Sequence, residues 1–193
     1  MISRLYTLFF IAFFTGFILL SCSGKDKALL TPQDSLKEKK LLDSFSENIQ
    51  YFPEKYSEMV TDTTLSNGFR VHIKTQTDME SSVLKAYQLD SITHKNYYRN
   101  INAMVNVYKN GQQIFSQLID KPFFYNQYSN HKELLAKMTL KVAQVNQLDD
   151  YHSDSNDDVQ IEFHYSDSDE KLWDRFVLRI QENGVYNISN FVY

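Results

Sequence analysis

The sequence predicts a mainly β fold, a β-rich α+β class in which antiparallel hairpins form a curved sheet, an open barrel or a sandwich, with an N-terminal helix and one short helix between strands. Three observations carry this. Apolar and polar residues alternate over several stretches, which puts one set of side chains on each face of a strand. Ser66-Asn67-Gly68, Lys109-Asn110-Gly111 and Glu182-Asn183-Gly184 each separate two such stretches, and Asn-Gly tolerates the positive φ that tight hairpin turns need. The regular strand, helix, strand alternation of a parallel α/β fold is missing, as is any fixed-period repeat.

Taken in chain order, Thr31-Pro32-Gln33-Asp34 reads as a helix start: a threonine N-cap, proline at the first helical position and an acid three places after the cap. Leu41, Leu42, Phe45, Ile49 and Phe52 recur at three- and four-residue steps, predicting an amphipathic helix that Pro53 stops. Thr63 to Leu65 and Phe69 to Thr75 then form the first hairpin, with Phe69, Val71, Ile73 and Thr75 inward and Arg70, His72 and Lys74 outward. In the second, Ile101, Ala103, Val105 and Val107 alternate with Asn102, Met104, Asn106 and Tyr108, and the chain returns through Gln112 to Ile119. Ser129 to Lys137 combines a Ser or Asn cap with good helix formers and predicts the short helix. Leu172 to Ile180 and Val185 to Tyr193 make the third hairpin. Ser82 to Leu89, Met138 to Val145 and Val159 to Tyr165 supply further strands, the last with Val159, Ile161, Phe163 and Tyr165 on one face.

The N-terminus carries the most specific signal. Arg4 precedes an apolar run from Leu5 to Leu20, short of the about 20 apolar residues a membrane span needs, and Leu19-Leu20-Ser21-Cys22 follows. This arrangement resembles the leader and lipobox of bacterial lipoproteins. The resemblance implies a signal peptide over 1–21, a lipidated Cys22 that begins a flexible linker over 22–30, and a single β-rich domain over 31–193 that includes the N-terminal helix. Cys22 is the only cysteine, so a chain lipidated there forms no disulfide and depends on its core for stability.

Read together, the lipobox, Asp120-Lys121-Pro122-Phe123-Phe124, Leu134-Leu135-Ala136-Lys137-Met138-Thr139-Leu140 and the Glu182-Asn183-Gly184 turn resemble small uncharacterised lipoproteins of Bacteroidota, a domain-of-unknown-function family. That likeness implies the bacterial cell envelope, with attachment to the outer membrane through lipid on Cys22, on either its periplasmic or its surface side. It carries over no catalytic residue.

Charge excludes one class of partner. The chain has 20 basic against 24 acidic side chains and a net charge of −4, and removal of Arg4 with a leader makes it one unit more acidic. Nucleic-acid binding rests on dense phosphate-neutralising basic residues, so it is not expected.

Catalytic motifs are missing as well. No serine lies in a Gly-x-Ser-x-Gly elbow, and the five glycines, at 16, 24, 68, 111 and 184, are too far apart for a phosphate cradle. No cofactor is implied. The candidate metal ligands are Glu162 with His164, two apart on one strand face, and Asp154, Asn156 and Asp158, which alternate like the first ligands of a calcium loop. Both have blander readings. Gln160, Glu162 and His164 form an outward row that reads as a solvated strand face. Val159 and Tyr165 stand where a calcium loop needs glycine and glutamate, so the aspartates also read as a solvated turn. The candidate binding residues are aromatic: Tyr97 and Tyr98 before one strand, and Phe123, Phe124 and Tyr125 after another, in a chain that is 15% aromatic. The sequence therefore favours a non-catalytic module that binds an envelope protein or a small ligand. The alternatives are a hydrolase-type or metal-dependent enzyme with a non-diagnostic site, and a structural envelope protein.

Overall fold

Among the described residues, six of the nine strands pair directly with the strand that follows them, and the hairpin turns around Gly68, Gly111 and Gly184 are where the sequence places them. The computed structural model describes residues 31, 32, 34, 47–89, 92–146 and 158–190. The chain forms two compact units, one of residues 1–48 and 89–93, the other of 49–88 and 94–193.

In the first unit, Pro32 and Asp34 are helical, and the Asp34 N–H donates to Thr31 Oγ1 at 3.2 Å while the threonine hydroxyl donates back to the aspartate carboxylate at 2.6 Å. This is the N-cap expected at Thr31. The expected helix does not reach Phe52. Glu47–Phe52 is a strand, β1, and residues 35–46, which hold Leu41, Leu42 and Phe45, lie outside the described part. Ile49, Tyr51 and Phe52 are β-branched or aromatic, and pairing with a neighbouring strand outweighs a helical spacing built from only two of the five stripe positions.

The second unit contains two antiparallel sheets. β2 is Glu58–Thr64, β3 Phe69–Leu89, β4 Ile92–Lys109 and β5 Gln112–Ile119. They assemble in the order β1-β4-β3-β2, with β5 also beside β4, against Ala103–Lys109. The second sheet has the order β6-β7-β8-β9, formed by Thr139–Val145, Asp158–Ser166, Trp173–Gln181 and Tyr186–Asn190. The stretch Ser82 to Leu89 is therefore no separate strand but the outer half of β3.

The alternation holds where it was clearest. Phe69, Val71, Ile73, Ala103, Val105 and Val107 from the first sheet meet Val159, Ile161, Phe163 and Tyr165 from the second in one buried cluster. Arg70 and Lys74 face outward and pair with Asp62 and Glu58 on β2, at 2.6 and 2.7 Å. Hydrogen bonds from Arg70 and Lys74 hold those carboxyls below the usual carboxylate range. The turns are as the sequence requires: Asn110 and Gly111 both have positive φ, 51° and 85°. Gly184 is more constrained, since its φ is 81° and a Cβ there would lie 2.5 Å from the Ile114 carbonyl oxygen of β5.

Between the sheets the chain forms α1, Lys121–Tyr125, then a 3₁₀ turn Ser129–His131 and α2, Lys132–Leu135. Asp120 caps α1 by accepting the Phe123 N–H at 2.9 Å, and Pro122 suits the first turn. This short helix drives Phe124 into the core, fully buried, with its ring centroid 4.3 Å from that of Phe176 and 5.4 Å from that of Phe163. Phe124 is thus a core residue and not part of a loop-borne binding patch. Phe123 and Tyr125 pack against the same cluster.

Candidate functional site: an exposed aromatic ribbon

Beyond Thr77, β3 and β4 leave the core and continue as a ribbon, with β1 along the free side of β4. Among the described residues no second sheet covers its side chains, and β1 is exposed at every position: Ile49 is 52% exposed, Tyr51 42% and Phe52 41%. The ring of Tyr51 stacks on Tyr97 with centroids 5.0 Å apart, and that of Phe52 on Tyr98 at 5.2 Å. Successive residues of a strand point to opposite faces, so each face of the ribbon carries one stacked pair.

Arg99 fixes this arrangement. Its guanidinium lies 4.7 Å from the Tyr51 ring centroid, its Nε donates to the Pro53 carbonyl at 3.2 Å and its Nη1 to the Met79 carbonyl. One side chain thereby ties the end of β1 to β3 across β4. Asp78 adds a second anchor. It accepts the N–H groups of Glu80 and Ser81 and the Ser81 hydroxyl, and that last bond holds its carboxyl below the usual range. Asn100 on β4 donates to the same Ser81 hydroxyl oxygen at 2.7 Å. The rings are thus held in place by the protein's own contacts.

Tyr97 and Tyr98, two of the five candidate binding residues, belong to this ribbon. Their stacking partners Tyr51 and Phe52 escaped the sequence reading because both fell in the segment assigned to the helix. The only available signal was the aromatic pair itself, placed directly before Pro53.

The candidate metal ligands are differently disposed. Glu162 and Gln160 are not a solvated face; both are buried, Glu162 to 5% exposure. β7 is a central strand, and the long side chains opposite it, Arg175 beside His164 and Arg179 beside Gln160, shelter that face. Glu162 accepts from Arg175 through one carboxylate oxygen and sits 3.0 Å from His164 Nε2 through the other. A cation there would displace Arg175. Asp158 pairs with Arg179 at 3.5 Å, while Asp154 and Asn156 lie outside the described residues. Among the described residues no group of three or more His, Cys, Asp or Glu side chains is placed to hold one metal ion.

A second buried polar cluster had no sequence signal. His131 Nδ1 lies 2.6 Å from Asp174 Oδ2, and Asp174 Oδ1 accepts from Asn190 Nδ2 at 2.6 Å. His131 also meets Phe176 edge-on with ring centroids 5.7 Å apart. The three residues come from the 3₁₀ turn, β8 and β9, and join the inter-sheet segment to the second sheet.

Among the described residues no helix is long and apolar enough to cross a membrane. No protein-family model matches the chain, and no curated protein matches it. The molecule is defined by its own structure: a mainly β protein of two antiparallel sheets with a pre-ordered aromatic ribbon.

Proposed function

We propose that this protein is a lipid-anchored module of the bacterial cell envelope that acts by binding a partner rather than by catalysis. The observation that carries the reading is the ribbon: an edge strand with exposed Ile49, Tyr51 and Phe52 whose rings are stacked on Tyr97 and Tyr98 and braced by Arg99. Rigid aromatic groups with polar tips give large contact area at low entropic cost, and exposed apolar surface of this kind favours a protein partner. The leader and the Leu19-Leu20-Ser21-Cys22 sequence support attachment through Cys22.

Two experiments test the two halves separately. Cell fractionation of wild type and Cys22→Ala checks the anchor, with loss of the variant from membranes expected and its full retention overturning the assignment. Crosslinking in intact cells, comparing wild type with a Tyr51→Ser/Phe52→Ser variant of equal abundance, checks the module. Discrete adducts that vanish in the variant are expected. Identical adduct patterns, or none in either, count against binding through the ribbon.

A further inference from the structure

Among the described residues, the outer edge of β1 is the least guarded sheet edge. β1 ends its sheet with only β4 beside it, and outside that ladder no backbone group of Ile49 to Phe52 makes a backbone hydrogen bond. Natural edge strands discourage pairing with charges, bulges, short length or a covering segment. β2 carries Glu58 and Asp62, each in an ion pair with β3, and the outer half of β3 carries Asp78, Glu80 and Lys85. β6 carries Lys141 and a register shift between Leu140 and Val142. The turn at Gly184 comes against the Ile114 carbonyl of β5, and β9 is short. From Asn48 to Phe52, β1 has neither charge nor proline and is exposed throughout.

A groove of about 420 Å³ follows this edge, lined by Ile49, Gln50, Tyr51, Phe52 and Glu54. Successive strand residues point to opposite faces, so a hollow that touches all four lies beside the strand and not on either face. A row of alternating N–H and C=O groups is matched along its length only by another extended backbone, because a helix pairs these groups internally and a small molecule reaches one or two. Side chains narrow the occupant further. Ile49 and Tyr51 on one face and Phe52 on the other favour aromatic or β-branched residues opposite them. Glu54 is an exposed carboxylate with no ion pair or hydrogen bond among the described residues, so a lysine or arginine suits that end. Arg99, by contrast, is engaged by the Tyr51 ring and two carbonyls. A second copy of the chain fits less well. Two β1 strands related by a two-fold run antiparallel, which sets Glu47 of one copy opposite or next to Glu54 of the other.

We propose that β1 is a docking edge for an extended segment of a protein partner, which adds to the sheet as a further strand. Its apolar side chains lie against Ile49, Tyr51 and Phe52, and a basic residue meets Glu54. The inference rests on the binding-module reading and names the partner's chemistry and mode of attachment.

The test is residue-resolved hydrogen–deuterium exchange by NMR of the full chain in detergent micelles, titrated with the end-blocked peptide Lys-Thr-Val-Thr-Tyr-Val-Lys. One comparator has glutamate for both lysines. The other is N-methylated at two successive central residues, so that neither of its edges can pair. For a dissociation constant of about 1 mM, the outward amides of Ile49 to Phe52 exchange about fivefold more slowly at about 4 mM peptide, and those of β2 are unchanged. The lysine peptide binds about threefold tighter than the glutamate one, as an exposed charge pair allows, and Glu54→Gln removes most of that preference. The N-methylated peptide protects nothing. Absence of protection, equal protection by the N-methylated peptide, or a charge preference missing from wild type or undiminished in Glu54→Gln each overturns the proposal. So does protection of β1 that grows with protein concentration in the absence of peptide, which assigns the edge to a second copy. If the adducts in cells depend on Tyr51 and Phe52 while the peptide leaves β1 unprotected, the partner sits on the ring faces: the docking edge falls and the module reading stands.

Discussion

Removing one oxygen from Tyr165 is expected to stabilise the protein. Tyr165 lies on β7, 1% exposed, with its ring edge-on to Phe124 and Phe176 at centroid distances of 5.8 and 6.3 Å. Its hydroxyl is buried and has no hydrogen-bond partner among the described residues. An unmade buried hydrogen bond costs about 1–3 kcal/mol, whereas the gap left by a hydroxyl is smaller than that of a methylene and costs about 1 kcal/mol or less. Tyr165→Phe therefore raises the unfolding free energy by about 1 kcal/mol at pH 7. Burial first, and then the nearby Asp120 charge, also push the phenol's ionisation well above its ordinary value of 10.0. An unfolded Tyr165 ionises near pH 10 and the folded one does not, so the stability this group contributes below pH 10 is lost as pH rises beyond it. The loss amounts to about 1.4 kcal/mol per pH unit, and phenylalanine avoids it. Equilibrium urea unfolding of both proteins at pH 7, 9 and 11, followed by far-ultraviolet circular dichroism, checks both effects. A lower midpoint for Tyr165→Phe at pH 7, or a difference that fails to widen between pH 9 and 11, refutes the reasoning.

Three further outcomes are expected. Desolvation lowers the Lys121 ammonium from 10.5 to about 8, so the unfolded state binds more protons between those values, and stability, penalised below pH 8, rises as pH climbs through the window. After discounting for partial solvent exposure, Lys121→Met gains about 1–2 kcal/mol at pH 7 and flattens that rise, measurable as urea midpoints from pH 7 to 10.5. Gly184→Ala places a Cβ against the Ile114 carbonyl in a backbone conformation alanine resists, and costs about 2 kcal/mol, visible as a melting point lower by several degrees. Asp174→Ala leaves His131 and the Asn190 amide without their shared carboxylate and costs about 3 kcal/mol, read from chemical unfolding; an unchanged midpoint would mean that the cluster is not holding the 3₁₀ turn to β8.

Local chemistry made the hairpins legible. Asn110-Gly111 can hardly do anything but turn, and Val159, Ile161, Phe163 and Tyr165 announce a buried face by spacing alone. What stayed hidden depends on neighbours distant in sequence. Ile49 and Phe52 fit a helical stripe and a strand equally well until β4 lies beside them. Glu162 reads as a solvent-facing residue on an alternating strand, and only the central place of β7, opposite Arg175 and Arg179, buries it. Phe124 looked loop-borne because nothing in Asp120 to Tyr125 shows that the Asp120 cap and short helix turn that ring inward. The site divides the same way: Tyr97 and Tyr98 were visible as a pair, whereas their partners Tyr51 and Phe52 needed β1 brought beside β4 from across the chain.

Every sheet pairing among the described strands joins sequence neighbours except that of β1, which reaches past β2 and β3 to β4. Closing that long loop is the entropically slow step, and the reward is a strip exposed at every residue and therefore poor in stabilising contacts. The strand displaying Tyr51 and Phe52 is accordingly the last to dock and the first to peel, and its amides should exchange with deuterium well before those of β7 and β8.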